Sequence, residues 1–253
     1  MKFCSLGSGS SGNGYLVSEN NTNILLDCGF SVTEIESRMN SRGIHPSEIT
    51  AIFLTHEHDD HSKGIFALAE KYQKPVYLTY GTLKMCDKKI RKSYQLIFKI
   101  ISPLETVSLG DFKIFSIPVP HDAREPVQFK FESDHLSLAI ITDLGFGNNE
   151  LIKSIKEINA LVLESNHDSN LLNKSKYPKA LKNRIHSNYG HLSNEQSLQI
   201  LKKINLKKLK WLGAAHLSIE NNSPELVKDS WKQVFENEIN IIDPDLGMPW
   251  ATI

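Results

Sequence analysis

The sequence predicts a layered α/β protein (α+β in its segregation), with two β-sheets packed together and helices on the outside. Three observations carry this expectation. Short apolar runs rich in β-branched and aromatic residues recur along the chain, each bounded by turn residues. Helix-capping signals sit between several of those runs. Strands dominate the first half, whereas strand and helix mix in the second.

In order, Met1 to Leu6 reads as a short strand. The stretch Gly7-Ser8-Gly9-Ser10-Ser11-Gly12 then matches G-x-G-x-x-G, but a dinucleotide fingerprint needs a helix to open at its end. Here Asn13-Gly14 leads into Tyr15 to Ser18, a second strand, so a tight inter-strand turn is expected instead. Asn20 to Asn23 forms a turn, and Ile24 to Cys28 a buried strand ending in Asp27-Cys28-Gly29. Ser31 and Glu34 cap a helix that Gly43 can end. Ile49 to Leu54 is a strand, and Ser62 to Lys71 has helical spacing with Ile65, Leu68 and Ala69 on one face. A strand over Pro75 to Thr79 precedes a basic segment, Asp87 to Lys92. Leu109-Gly110-Asp111 separates two strand-like runs, the second of which, Phe112 to Val119, leads to Pro120-His121-Asp122. Val127 to Phe131 and Leu136 to Thr142 make a hairpin that delivers Asp143. Ala160 to Leu163 is one more buried strand, ending in Glu164. Ser193 and Gln196 cap a helix through Lys203, Leu209 to Ala215 is a strand ending at His216, and Ser223-Pro224-Glu225 opens the last helix. With no repeat, low-complexity tract or linker, residues 1–253 are expected to form a single domain.

Composition narrows the function. Lys plus Arg equals Asp plus Glu at 29 each, so no global field draws the chain to nucleic acid or membrane. Three scattered cysteines offer neither a disulfide framework nor a zinc ribbon. The first residues lack a signal-peptide apolar stretch, and no apolar run is long enough to span a bilayer. A cytoplasmic protein with no membrane partner is expected.

The chemistry is concentrated in Thr55-His56-Glu57-His58-Asp59-Asp60-His61. His-x-His-x-Asp-His puts four metal-ligand side chains within six positions, on a turn after a buried strand. A strand would send His56 and His58 to one face and His61 to the other, whereas a turn lets all four converge. Imidazole suits zinc, manganese or iron, and the carboxylate adds a hard oxygen. Other polar residues also stand at the ends of apolar runs: Asp27, His121, Asp143, Glu164 and His216. Strand ends of layered sheets are where distant segments can meet.

This set, His-x-His-x-Asp-His followed by a lone His, a lone Asp and a late His, resembles the signature of the metallo-β-lactamase superfamily. Ser8-Gly9-Ser10-Ser11-Gly12-Asn13, Glu164-Ser165-Asn166-His167-Asp168, Gly190-His191-Leu192-Ser193-Asn194 and His216-Leu217-Ser218 with Asn221-Asn222 are similar to its bacterial YycJ/WalJ branch, over nearly the whole chain. The resemblance implies an αββα four-layer sandwich with a two-metal site at one edge. It also implies a 5′-to-3′ exonuclease on double-stranded DNA, supported by manganese and associated with mismatch repair. Residue by residue, it assigns His56, His58 and His121 to one divalent ion and Asp60, His61 and His216 to the other. Asp143 would bridge both, and Asp27 would orient ligands from behind. Asp60 is placed among the catalytic residues as well as the ligands. Glu164 with His191 resembles the pair of tRNA 3′-processing endonucleases, which is thought to supply the leaving-group proton.

Two divalent ions, zinc or manganese, about 3.5–4 Å apart can hold a bridging hydroxide as nucleophile. A phosphodiester suits such a site, because its anion is attracted and its leaving alkoxide needs a proton. A cyclic or other small-molecule phosphodiesterase, or a glyoxalase-type thioesterase, would share the early motifs. Charge placement favours nucleic acid, DNA before RNA. Ten basic residues lie between Ser169 and Lys210 against one acidic residue, Glu195. Of these, Lys179, Lys182 and Arg184 are expected to contact substrate.

Overall fold

The computed structural model describes all 253 residues. One seven-stranded sheet contains β1 (Lys2–Gly9), β2 (Gly12–Glu19), β3 (Thr22–Leu26), β4 (Ala51–Phe53), β5 (Val76–Thr79), β6 (Phe98–Ile101) and β14 (Met248–Thr252), in the order β14-β1-β2-β3-β4-β5-β6. The other contains β7 (Thr106–Leu109), β8 (Phe112–Pro118), β9 (Val127–Ser133), β10 (Leu136–Ile141), β11 (Ala160–Glu164), β12 (Trp211–Ala215) and β13 (Ile239–Ile241), in the order β13-β12-β11-β10-β9-β8-β7. Strands β3 to β6 run parallel, as do β10 to β13. Helices α1 (Val32–Ser41), α2 (Asp59–Ser62), α3 (Ile65–Tyr72), α4 (Tyr80–Cys86), α5 (Asn149–Ile155), α6 (Ser169–Lys174), α7 (Lys179–His186), α8 (Asn194–Leu201) and α9 (Pro224–Trp231) complete the chain.

Three apolar layers hold this together, and the strand period of two explains them. Phe3, Tyr15, Val17, Ile24, Leu26 and Phe53 point inward and meet Phe129, Phe131, Leu138 and Val162 of the facing sheet. Their alternates Cys4, Leu16, Leu25 and Ile52 point outward onto Ile35 and Met39 of α1 and Leu68 of α3. On the far side Ala139, Ile141, Leu161 and Leu163 receive Leu151, Leu198, Val227 and Trp231. Because both faces of the central strands are covered, those strands read as continuous apolar runs. Helix, sheet, sheet and helix are thus stacked as the αββα sandwich. No helix is long and apolar enough to cross a membrane.

Two differences from the sequence reading bear on the site. The helix expected over Ser62 to Lys71 is broken into α2 and α3 at Lys63-Gly64. Gly64 packs so tightly that a Cβ there would lie 2.2 Å from the Phe30 carbonyl oxygen. The strand at Ile24 stops at Leu26, because Asp27 leaves the sheet with φ of 60°.

Phe53, two residues before the ligand turn, fixes that turn to both sheets. Its ring stacks on Tyr77 with centroids 4.6 Å apart and meets Phe129 edge-on at 5.3 Å. Each such pair contributes roughly 0.5–1.5 kcal/mol beyond the area it buries.

Candidate metal centre

The parallel strands β3, β4, β10, β11 and β12 end at one edge of the sandwich, and antiparallel β8 delivers His121 there as well. His56, His58 and His121 form one group whose ligand atoms all lie within 4.8 Å of one another, and Asp60, His61, Asp143 and His216 form a second. In the first, His58 Nδ1 lies 3.1 Å from His56 Nε2 and 3.3 Å from His121 Nε2. A tetrahedral ion with bonds of about 2.0–2.1 Å needs ligand atoms about 3.3 Å apart, so these nitrogens fit a divalent metal. In the second, Asp143 Oδ2 lies 2.9 Å from His61 Nε2, and its Oδ1 lies 3.6 Å from His216 Nε2. Yet Asp143 Oδ2 and His216 Nε2 are buried without a hydrogen bond of acceptable geometry. Buried polar atoms are seldom left so, and both belong to a group of side chains that could hold a metal ion. Asp60, the most exposed of this group, has Oδ2 3.7 Å from His61 Nε2 and 4.0 Å from His216 Nε2.

Three of the residues at this edge are held in the left-handed region: Asp27 at φ 60°, Asp143 at 53° and His216 at 55°. For residues other than glycine such backbone costs of order 1–3 kcal/mol and persists where the surroundings enforce it. It turns each side chain off its strand and into the shared space.

The supporting contacts are dense. Asp27 accepts from the Thr55 backbone N–H at 2.9 Å and has Oδ2 2.8 Å from His61 Nδ1. Thr55 Oγ1 bridges that carboxylate to His56 Nδ1 at 2.9 Å. Gly29 lies under the ligand loop, where a Cβ would meet the Asp60 carbonyl oxygen at 1.8 Å. From the paired ends of β1 and β2, Asn13 reaches His61 Nε2 at 3.0 Å, and Ser8 Oγ accepts from the His216 N–H at 3.1 Å. The turn between these strands is shorter than expected: only Ser10 and Ser11 turn, while Gly7 to Gly9 and Gly12 continue the strands, Gly9 pairing with Gly12. The sequence motifs included Asn13 and Thr55 but gave neither a role, because their contacts exist only once the separate segments meet.

Glu164 holds more than the sequence suggested. Its Oε1 lies 2.7 Å from His191 Nδ1 and 3.1 Å from His216 Nδ1, while Oε2 accepts from the N–H groups of Leu144 and Leu192. One carboxylate thus orients two imidazoles. Burial alone would push Glu164 up, but His191 and His216 bring it down to about 2. His191 is part-exposed and Nδ1 is engaged, so Nε2 is the atom left to face the cleft.

The charge pattern follows the contacts. Burial disfavours a charged His216, yet Asp143 and Glu164 raise its pKa to about 9. Burial likewise opposes charge on His61, and Asp143, Asp27 and Asp60 hold it well above the ordinary imidazole range. Burial lowers His56 and His121. Without metal, then, His61 and His216 carry protons at neutral pH, and that charge supports the fold below the ordinary imidazole pKa of 6.5. For His216 the support disappears as pH rises through about 9. Metal must displace those protons. Metal affinity should therefore climb from about pH 6 towards 9, and uptake at neutral pH should release protons. Calorimetry in two buffers of different ionisation enthalpy reads the release directly; uptake without it would contradict the assignment of His61 and His216.

The remaining sequence-picked residues are placed as follows. Lys179 is exposed on α7. Lys182 instead donates to the carbonyls of Asn173 and Ser175, closing the end of α6. Arg184 is exposed but paired with Asp122 at 2.6 Å, at the rim of the cleft. Lys89, from the earlier basic segment, ties the ligand loop through the Glu57 carbonyl, Asp59 and Ser62. Cys4, Cys28 and Cys86 are buried thiols pushed up to about 12, which makes them inert packing residues.

Comparisons with known proteins identify the family and the fold. A family model described as a beta-lactamase superfamily domain matches residues 22–212. The exodeoxyribonuclease YycJ of Bacillus anthracis is 34% identical over 259 residues, covering 98% of this chain and 97% of the relative. The exodeoxyribonuclease WalJ of Streptococcus pneumoniae is 33% identical over 231 residues, covering 89% and 85%. Among solved structures, Zn(2+)-bound PqqB from Methylobacterium extorquens superposes with a TM-score of 0.78 at 17% identity, covering 100% of both chains, which shows the shared fold.

Proposed function

The chain belongs to the metallo-β-lactamase superfamily, in its YycJ/WalJ-like branch, and from that premise we propose that this metal-dependent hydrolase is an exonuclease that degrades double-stranded DNA in the 5′-to-3′ direction. The observation that carries the reading is the pairing of His191 with Glu164 at 2.7 Å, on a cleft of about 490 Å³ without one hydrophobic residue in its wall. An alkoxide leaving group needs a proton and a thiolate does not, so a backed imidazole beside the ligands favours phosphodiesters over thioesters. The names of the two relatives supply DNA as the substrate.

Two divalent ions, held by His56, His58 and His121 and by Asp60, His61 and His216 with Asp143 between, would supply an activated water and neutralise charge on the phosphate. The residues do the rest. Asp27 and Glu164 hold His61 and His216 by Nδ1, which keeps each Nε2 turned inward. As the water oxygen attacks phosphorus and the opposite P–O bond breaks, the electron pair passes to the leaving oxygen. His191 Nε2–H protonates that oxygen, and Glu164 stabilises the ring as the proton moves. Arg184 and Lys89 stand in the cleft wall, each paired with a carboxylate, and with the two ions would help to receive the anionic chain.

The test is digestion of end-labelled duplex DNA, single-stranded DNA and RNA by metal-stripped protein resupplied with Mn²⁺ or Zn²⁺. Duplex DNA should shorten from its 5′ ends, and phosphodiester turnover should exceed hydrolysis of S-lactoylglutathione by orders of magnitude. Equal turnover of the thioester would overturn the assignment.

A further inference from the structure

The polar cleft opens into a second cavity of about 430 Å³, and the two share Ser10, Arg184, His191 and His216. The wall changes character at that seam. The first cavity has no hydrophobic side chain, whereas the second is lined by Tyr177, Leu181, Ile185, Leu217 and Ile219. Leu181 and Ile185 lie one turn apart on α7, a helix with no fully buried residue. Their apolar side faces the cavity, and the half-buried Tyr177 ring stands just before the helix. On the other wall Ile219 is 73% exposed, an unusual setting for isoleucine in a pinned segment. The backbone fixes it there, since Ser218 N–H donates to the Asn166 carbonyl and Asn221 N–H to Ser218 Oγ. Asn166, Ser218 and Ser11 add hydrogen-bonding groups around the apolar walls.

A cavity with an apolar patch and one aromatic ring set among hydrogen-bonding side chains, Glu220 included, and continuous with the polar cleft, suits a nucleotide: a flat base with polar edges at one end and a phosphate at the other. A base inside a duplex is stacked and paired, and cannot enter such a slot without leaving the helix. We propose that the second cavity is a nucleoside subsite, which takes the unpaired base and sugar of the terminal nucleotide while the phosphodiester to be cut lies in the polar cleft beside it. The inference rests on the nuclease reading above and adds two features to it. The end of the duplex frays before each cut, and the product leaves as single nucleotides.

The experiment uses the metal-loaded full chain on duplexes whose terminal nucleotide is either normal or abasic. Base stacking on protein side chains is large enough that the abasic end should be cut roughly 10-fold more slowly. Ile219→Ser, a change at an exposed position, should narrow that gap to within about two-fold by slowing the normal end. Equal rates on normal and abasic ends in the unmodified protein would defeat the subsite while leaving the nuclease reading intact. No cutting of either end would defeat the nuclease reading, and the subsite with it.

Discussion

Asp143→Ala should leave the protein with neither ion and reduce hydrolysis to background. The carboxylate stands between His61 and His216, and its negative charge is what offsets two imidazoles and the ions they would hold. Burial disfavours that charge, but His216 and His61 keep Asp143 ionised well below the ordinary carboxylate range. A misfolded variant would give the same loss, so Asp143→Asn is the companion. Asparagine tolerates the left-handed backbone at φ 53° and preserves shape while removing charge. It should fold, with a metal-free melting temperature below the parent's because two buried imidazoles lose their counter-charge, and still lose metal at both positions. Metal analysis showing full occupancy in either variant would remove Asp143 from the bridge.

His191→Ala should keep its metal and yet cut DNA about 10²–10⁴-fold more slowly, the usual loss for a general acid. A nitrophenyl phosphodiester, whose leaving group barely needs a proton, should recover most of that rate. Glu164→Gln is a different case, because its carboxylate also holds His216 by Nδ1. Slower cleavage should there be joined by weaker metal binding, by roughly 10–100-fold, as expected when a ligand loses its orienting partner. Loss of metal in His191→Ala would make that residue a ligand, a reading its Nδ1 at 3.5 Å from Asp143 makes worth measuring. Equal slowing on both substrates would strip it of the acid role.

What could be read from the sequence follows from where information is local. His56 to His61 packs its donors into one turn, so its chemistry is visible without a fold. Asp27, Asp143, Glu164 and His216 stand out because the strands before them are covered on both faces and read as unbroken apolar runs. Asn13 and Thr55 do not, since their contacts with His61 and Asp27 exist only after separate segments meet. Helix α7 has only the pair Leu181 and Ile185 to mark its apolar side and no buried residue, and the ion pair of Arg184 with Asp122 spans 62 positions. Strands β13 and β14 were missed for another reason. They are three and five residues long, and Pro249 interrupts the second.

The hydrogen bond from the His216 backbone to Ser8 joins positions 208 residues apart. During synthesis, Ser8 emerges from the ribosome long before its partner has been translated. A nascent chain halted just before residue 216 has β1 to β6 and the His56–His61 turn, yet lacks the His216 imidazole and the β14 strand that completes the first sheet. Such a fragment can capture a metal ion but cannot assemble the full constellation. Contacts this distant also form slowly, because loop closure precedes their reward. For a hydrolase whose proposed substrate is the cell's own chromosome, that order of events acts as a delay, so that hydrolytic competence arrives only with a nearly finished chain.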